Sequence, residues 1–92
     1  MPHALITGAS LGLGRAVALE LARRGWALTI DARHAEPLAS TAQVLSELTS
    51  VRAISGDVGD PEHREQLVAA AAAVGQLNLV INNASDLGGS PL

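Results

Sequence analysis

Hydrophobic and polar positions switch along the chain between a short, continuous apolar rhythm and a helical one. Residues 3–7 hold the apolar run Ala4, Leu5 and Ile6, which predicts a buried strand. Residues 13–24 then place Leu13, Val17 and Leu21 on one helical line with alanines beside them. Gly25 ends that helix, and Arg23 and Arg24 sit in its last turn, where cations offset the helix dipole. Residues 26–31 predict a second strand. Pro37 suits a first helical position, and Leu38, Ala42, Leu45 and Leu48 follow as an apolar stripe. Residues 51–55 predict a third strand. Asp60, Pro61 and Glu62 form a helix start: a capping carboxylate, a proline in the first turn and an acid near the positive end. Leu67, Val68, Ala71 and Val74 carry that helix to Gly75, residues 77–82 predict a fourth strand, and residues 86–92 read as a loop.

Strands alternating with helices predict right-handed crossovers and a parallel sheet. The fold class is α/β, a doubly wound sheet of four strands in the order 3-2-1-4 with helices on both faces. No linker, low-complexity tract or further repeat divides the chain, so residues 1–92 are expected to form one partial domain with no second domain.

Composition narrows the function. The chain is 48% hydrophobic and 16% charged, which suits a globular domain. A net charge of −3 gives no electrostatic case for nucleic acid or an anionic membrane. No apolar run approaches the ~18 residues of a membrane span. Met1, Pro2 and His3 lack the features of a signal peptide, so a cytoplasmic location is the default expectation. Cysteine is absent, which removes disulfides and thiolate metal sites. His3, His34 and His63 fall on separate elements without ligand spacing, so no metal site is expected. His63 reads as a surface residue, and Asp60, Glu62 and Glu65 as capping or solvated acids.

The chemistry lies in residues 7–14, Thr-Gly-Ala-Ser-Leu-Gly-Leu-Gly, between the first strand and the first helix. Gly8 lets the chain leave the strand through a backbone shape that most residues resist. Gly12 allows the main chain to approach a pyrophosphate, and Gly14 permits tight helix–strand contact. The unpaired N–H groups of the helix start, near Leu13, face the phosphates. Thr7 and Ser10 add hydroxyls that brace the turn or touch a phosphate. The competing reading is an ordinary glycine-rich turn; the strand–turn–helix order favours the dinucleotide site.

The spacing Thr-Gly-x-x-x-Gly-x-Gly, together with Asn82-Asn83-Ala84 after the fourth strand, resembles the short-chain dehydrogenase/reductase family. The resemblance runs along essentially the whole chain. It implies a Rossmann-type domain that binds NAD(P) and belongs to an oxidoreductase moving hydride between the cofactor and a carbonyl or alcohol. It gives Asn82 and Asn83 roles in bracing the sheet and lining the cofactor ribose, with Ala84 completing the motif. It also implies that Asp57 accepts from the adenine amino group while Val58 packs on the ring. Two departures stand out: Asn78 where the family often has Asp, and Ser85 where it usually has Gly.

The end of the second strand selects the cofactor. An acid there binds the ribose 2′-hydroxyl of NAD, and a nearby Arg favours the 2′-phosphate of NADP. Against the family pattern Ala32 occupies the acidic position and Arg33 follows it, which resembles NADP-preferring members. A one-residue shift would make Asp31 the ribose ligand and reverse the preference to NAD. Arg33 as a solvated loop charge is the plain alternative.

The family's proton chemistry uses a Tyr, a Lys and a Ser. This chain has no Tyr and no Lys, so no catalytic residue is assigned. The expectation is a cofactor-binding portion, inactive alone, that meets a small-molecule substrate only in a complete subunit. The alternative is a non-catalytic dinucleotide-binding or interaction module. An uncovered edge on the fourth strand is expected to favour self-association.

Overall fold

The computed structural model describes residues 1–83. Seven elements follow one another: β1 (His3–Thr7), α1 (Gly12–Arg23), β2 (Ala27–Ala32), α2 (Ala35–Ser46), β3 (Val51–Ser55), α3 (Pro61–Val74) and β4 (Leu79–Asn82). The strands form one parallel sheet in the order β3-β2-β1-β4. This is the doubly wound, Rossmann-like arrangement that the alternation of elements predicts, and its direction reverses between β1 and β4.

Strand alternation gives the two faces of the sheet different characters. Ala4 and Ile6 of β1 and Leu28, Ile30 and Ala32 of β2 turn toward α1 and α2. There they join Ala18, Ala22, Leu38 and Leu45 in the aliphatic core. The alternate positions turn to the face that α3 covers: Leu5 and Ala27 lie there with the polar His3, Thr7, Thr29 and Asp31, and all six are buried. A buried polar layer requires internal partners. His3 Nε2 meets Thr29 Oγ1 at 2.7 Å, and Asp31 Oδ2 meets His63 Nε2 at 2.8 Å.

Two expectations about helix faces and one about a helix start are corrected. On the line Leu13, Val17, Leu21 the last two pack half-buried against the core, but Leu13 is 70% exposed, and Gly14, Ala18 and Ala22 are the fully buried residues of α1. Small side chains let the helix axis approach the sheet, so the larger ones go to the flanks. α2 begins at Ala35, two residues before Pro37. Proline is tolerated there because the N–H groups of a first helical turn have no intrahelical acceptor. α3 buries His63, Leu67 and Ala71, whereas Val68 and Val74 are exposed. His63 is therefore a core residue rather than a surface one, for the physical reason that a buried carboxylate lies opposite it.

The start of α3 behaves as its sequence predicts: the Asp60 side chain accepts from the Glu62 N–H at 3.0 Å. Asn78, at the departure from the family pattern, clamps the start of β1. Its Oδ1 accepts from the His3 N–H at 3.0 Å, and its own N–H donates to the His3 carbonyl at 2.9 Å.

Candidate functional site

The site is built at the carboxyl edge of the sheet, where β1, β2, β3 and β4 all end. Gly8 leaves β1 with φ of +66°, so the chain turns sharply out of the strand. Neighbouring elements then hold the turn. The Gly8 N–H donates to Asp31 Oδ1 at 2.9 Å, and the Ala9 N–H donates to the Asp31 carbonyl at 2.8 Å. Asn83 Nδ2 donates to the Gly8 carbonyl at 3.0 Å, from the end of β4. Thr41 of α2 donates its hydroxyl to the Ser10 carbonyl at 3.4 Å. Thr7 donates through Oγ1 to Asn82 Oδ1 at 3.0 Å, which ties the ends of β1 and β4 together.

Beyond Ser10 the chain opens to solvent. Leu11, Gly12 and Leu13 are exposed, and Gly12 takes φ of +58°. A Cβ at Gly12 would enter open space, whereas one at Gly14 would lie 2.2 Å from the Gly8 carbonyl oxygen and 2.7 Å from Asn83 Nδ2. The two glycines therefore serve different ends: Gly14 brings α1 against the turn, and Gly12 shapes its open side. Among the described residues no side chain caps the N-terminus of α1, and its first turn holds no acid. A helix start with free donors and a positive dipole end is suited to an anion. The backbone thus fits a pyrophosphate between Gly8 and Leu13.

The ends of β2 and β3 form the other half. Arg33 and Asp57 are both more than half exposed, with Arg33 Nη2 and Asp57 Oδ1 3.9 Å apart. Asp57 Oδ1 also accepts the Gly59 N–H at 2.9 Å, so the carboxylate shapes its own turn. Val58 is half-buried beside it. Asp31 is committed elsewhere. Its side chain is 1% exposed, with one oxygen on the Gly8 N–H and the other on His63. The β2–β3 ladder runs without a slip to the Ala32–Ser55 pair, and the core-facing position is Ala32.

The structure brings Thr7, Gly8, Ser10, Gly12, Leu13, Gly14, Arg33, Asp57, Val58, Asn82 and Asn83 to this one edge. Ala84 lies outside the described residues, as do Ser85 and the expected loop at residues 86–92. The sequence alone offers Asp31 only as an alternative ribose ligand and His63 as a surface residue, and it does not single out Thr41 or Gly56. The recurrence of His63, Leu67 and Ala71 every four residues was the available signal for His63, since it marks one helical line. Among the described residues no group of three His, Cys, Asp or Glu is placed to hold a metal ion, and no helix is long and apolar enough to cross a membrane.

Comparison with known proteins agrees with this geometry. The short chain dehydrogenase family model matches residues 2–91. Versicolorin reductase 1 of Aspergillus parasiticus is 37% identical over 84 residues, covering 88% of this chain and 32% of the relative. The NADPH-dependent pterin aldehyde reductase of Arabidopsis thaliana is 37% identical over 84 residues, covering 90% and 35%. Among solved structures, L-sorbose reductase of Gluconobacter frateurii, complexed with NADPH and L-sorbose, superposes with a TM-score of 0.86 at 30% identity, covering 91% and 33%. The chain spans about a third of the length of the curated relatives it matches. A family match along nearly all of its length means that this chain belongs to the short-chain dehydrogenase/reductase family.

Proposed function

We propose that the chain is the NADP-binding portion of an oxidoreductase that moves hydride between NADP(H) and a carbonyl or alcohol. The observation that carries this reading is the turn from Gly8 to Gly14, fastened by β2, β4 and α2 and open at an uncapped helix start. In this reading the N–H groups near Leu13 bind the pyrophosphate, and Thr7 and Ser10 brace the turn. Asn82, Asn83 and Ala84 line the ribose. Asp57 accepts from the adenine amino group, and Val58 packs on its ring. Bound nicotinamide supplies the hydride chemistry; the chain's own residues bind and orient it.

The preference for NADP over NAD rests on Asp31 and Arg33. Asp31 is buried and has both carboxylate oxygens engaged, so it does not present an acid to a ribose 2′-hydroxyl. Arg33 is exposed on the same edge and offers a planar cation suited to a phosphate. The NADPH named for two of the similar proteins is in keeping with this choice. With no Tyr and no Lys among its 92 residues, the chain alone is proposed to bind cofactor without turnover. The small-molecule substrate would be met only in a complete subunit, and the proposed location is cytoplasmic.

Calorimetric titration of the chain with NADPH and NADH tests the reading. The expected result is saturable binding of both with NADPH the tighter, and no NADPH oxidation with a panel of small aldehydes and ketones. Absence of binding by either dinucleotide would sink it.

A further inference from the structure

We infer that His63 is a positioning residue for the phosphate-facing turn, acting through Asp31; the inference rests on the dinucleotide reading above. The Asp31 carboxylate bridges two elements. Its Oδ1 receives the Gly8 N–H at 2.9 Å, and its Oδ2 faces His63 Nε2 at 2.8 Å, with the two side chains 1% and 4% exposed. With the proton on Nε2, the imidazole is the donor to the carboxylate oxygen that it faces. A buried carboxylate is stable only when such donors meet it. His63 therefore supplies the second donor that lets Asp31 stay buried and keep its other oxygen on Gly8.

Two further observations mark this as a built contact. A Cβ at Gly56 would lie 2.3 Å from His63 Nδ1 and 2.7 Å from two carbons of the ring, so the segment after β3 is cleared for the imidazole. Asp31 also accepts the next N–H, that of Ala9, through its backbone carbonyl at 2.8 Å. One residue thus holds two consecutive amides of the turn, and His63 holds that residue's side chain. The consequence is geometric. His63 lies on α3, which follows the segment of Asp57 and Val58, whereas Gly8 opens the turn before α1. The chain Gly8–Asp31–His63 fixes the distance between the half of the site proposed for pyrophosphate and the half proposed for adenine.

The test reads the Gly8 amide by NMR in the ligand-free chain and measures NADP⁺ affinity by calorimetry, for the wild type, His63→Phe and His63→Gln. Phenylalanine fills the ring's space without a donor; glutamine keeps a donor. In the wild type the Gly8 amide proton is expected downfield and protected from exchange. His63→Phe is expected to move it upfield, speed its exchange and weaken NADP⁺ roughly tenfold, the scale of one hydrogen bond to a charged group. His63→Gln is expected to recover most of both effects, which general destabilisation would not do. Should His63→Phe fail to fold, the wild-type amide and His63→Gln still decide: an ordinary, rapidly exchanging Gly8 amide in the wild type overturns the inference. Equal Gly8 signals or equal NADP⁺ affinity in wild type and a folded His63→Phe overturn it while the dinucleotide reading stands. Absence of NADP⁺ and NADH binding by the wild type overturns the proposed function, and the inference with it.

Discussion

Asn83 donates through Nδ2 to the Gly8 carbonyl at 3.0 Å and so joins the end of β4 to the turn that leaves β1, 75 positions away in sequence. Gly14 packs against both partners. An alanine at 14 would gain about 1 kcal/mol of helix propensity. Its methyl would also stand 2.2 Å from the Gly8 oxygen and 2.7 Å from the Asn83 amide, and the nearer group is backbone that cannot swing aside. The clash outweighs the gain. Gly14→Ala is expected to lower stability by about 1–3 kcal/mol and to weaken dinucleotide binding. Urea unfolding and calorimetry check both, and an unchanged unfolding midpoint would show that α1 does not need this close approach.

Arg33 stands exposed 3.9 Å from Asp57. At that distance and exposure the pair contributes little to folding. Arg33→Ala is therefore expected to leave the melting temperature nearly unchanged. It should weaken NADPH about tenfold, while NADH affinity stays within about twofold, because only NADPH carries the 2′-phosphate that a guanidinium would grip. Equal losses for the two cofactors would remove Arg33 as the selecting residue.

His3 gives a dependence on pH. Burial lowers its pKa from the ordinary 6.5, because the low-dielectric surroundings disfavour the charged ring. Its Nδ1 is buried without a hydrogen-bond partner among the described residues. At pH 7.5 the ring is mostly neutral in both states and contributes little dependence. As pH falls through 6.5 the unfolded chain gains a proton that the folded chain resists, so stability falls until the folded pKa is passed. The slope contributed by one such group reaches at most ~1.4 kcal/mol per pH unit. Urea unfolding of wild type and His3→Gln between pH 7.5 and 5 should show a steeper loss in the wild type. Parallel curves would mean that His3 accepts its proton inside the fold.

The strand order and the glycine edge were legible in the sequence because they rest on local signals. Alternating periods mark the elements, and Gly8, Gly12 and Gly14 mark one turn. What escaped was set by contacts between distant segments. Asp31 and Ala32 are neighbours in sequence, yet pleating sends them to opposite faces, and the contact of Asp31 with His63 shows which one meets α3. His63 resembles a solvated residue beside a helix cap until Asp31 is placed opposite it. The face of α1 was misread for a different reason: a large-residue line such as Leu13, Val17 and Leu21 dominates a hydrophobicity pattern, whereas close helix–sheet packing selects Gly14, Ala18 and Ala22.

β4 pairs with β1 on one side, and its other side carries no strand among the described residues. Val80 is 55% exposed on the face covered by α3, where Leu5, Leu67, Val68 and Val80 line a groove of about 300 Å³. An apolar edge with unpaired backbone groups is a template for a second chain. We therefore expect the 92-residue chain to associate, with a melting temperature that rises with protein concentration, as linkage requires when the folded state self-associates. Val80→Lys places a charge on that edge and is expected to shift sedimentation toward the monomer and flatten the concentration dependence. A sharp melt at one temperature over a hundredfold range of concentration (roughly 1 to 100 µM), with monomeric sedimentation throughout, would show instead that the edge does not recruit a second chain.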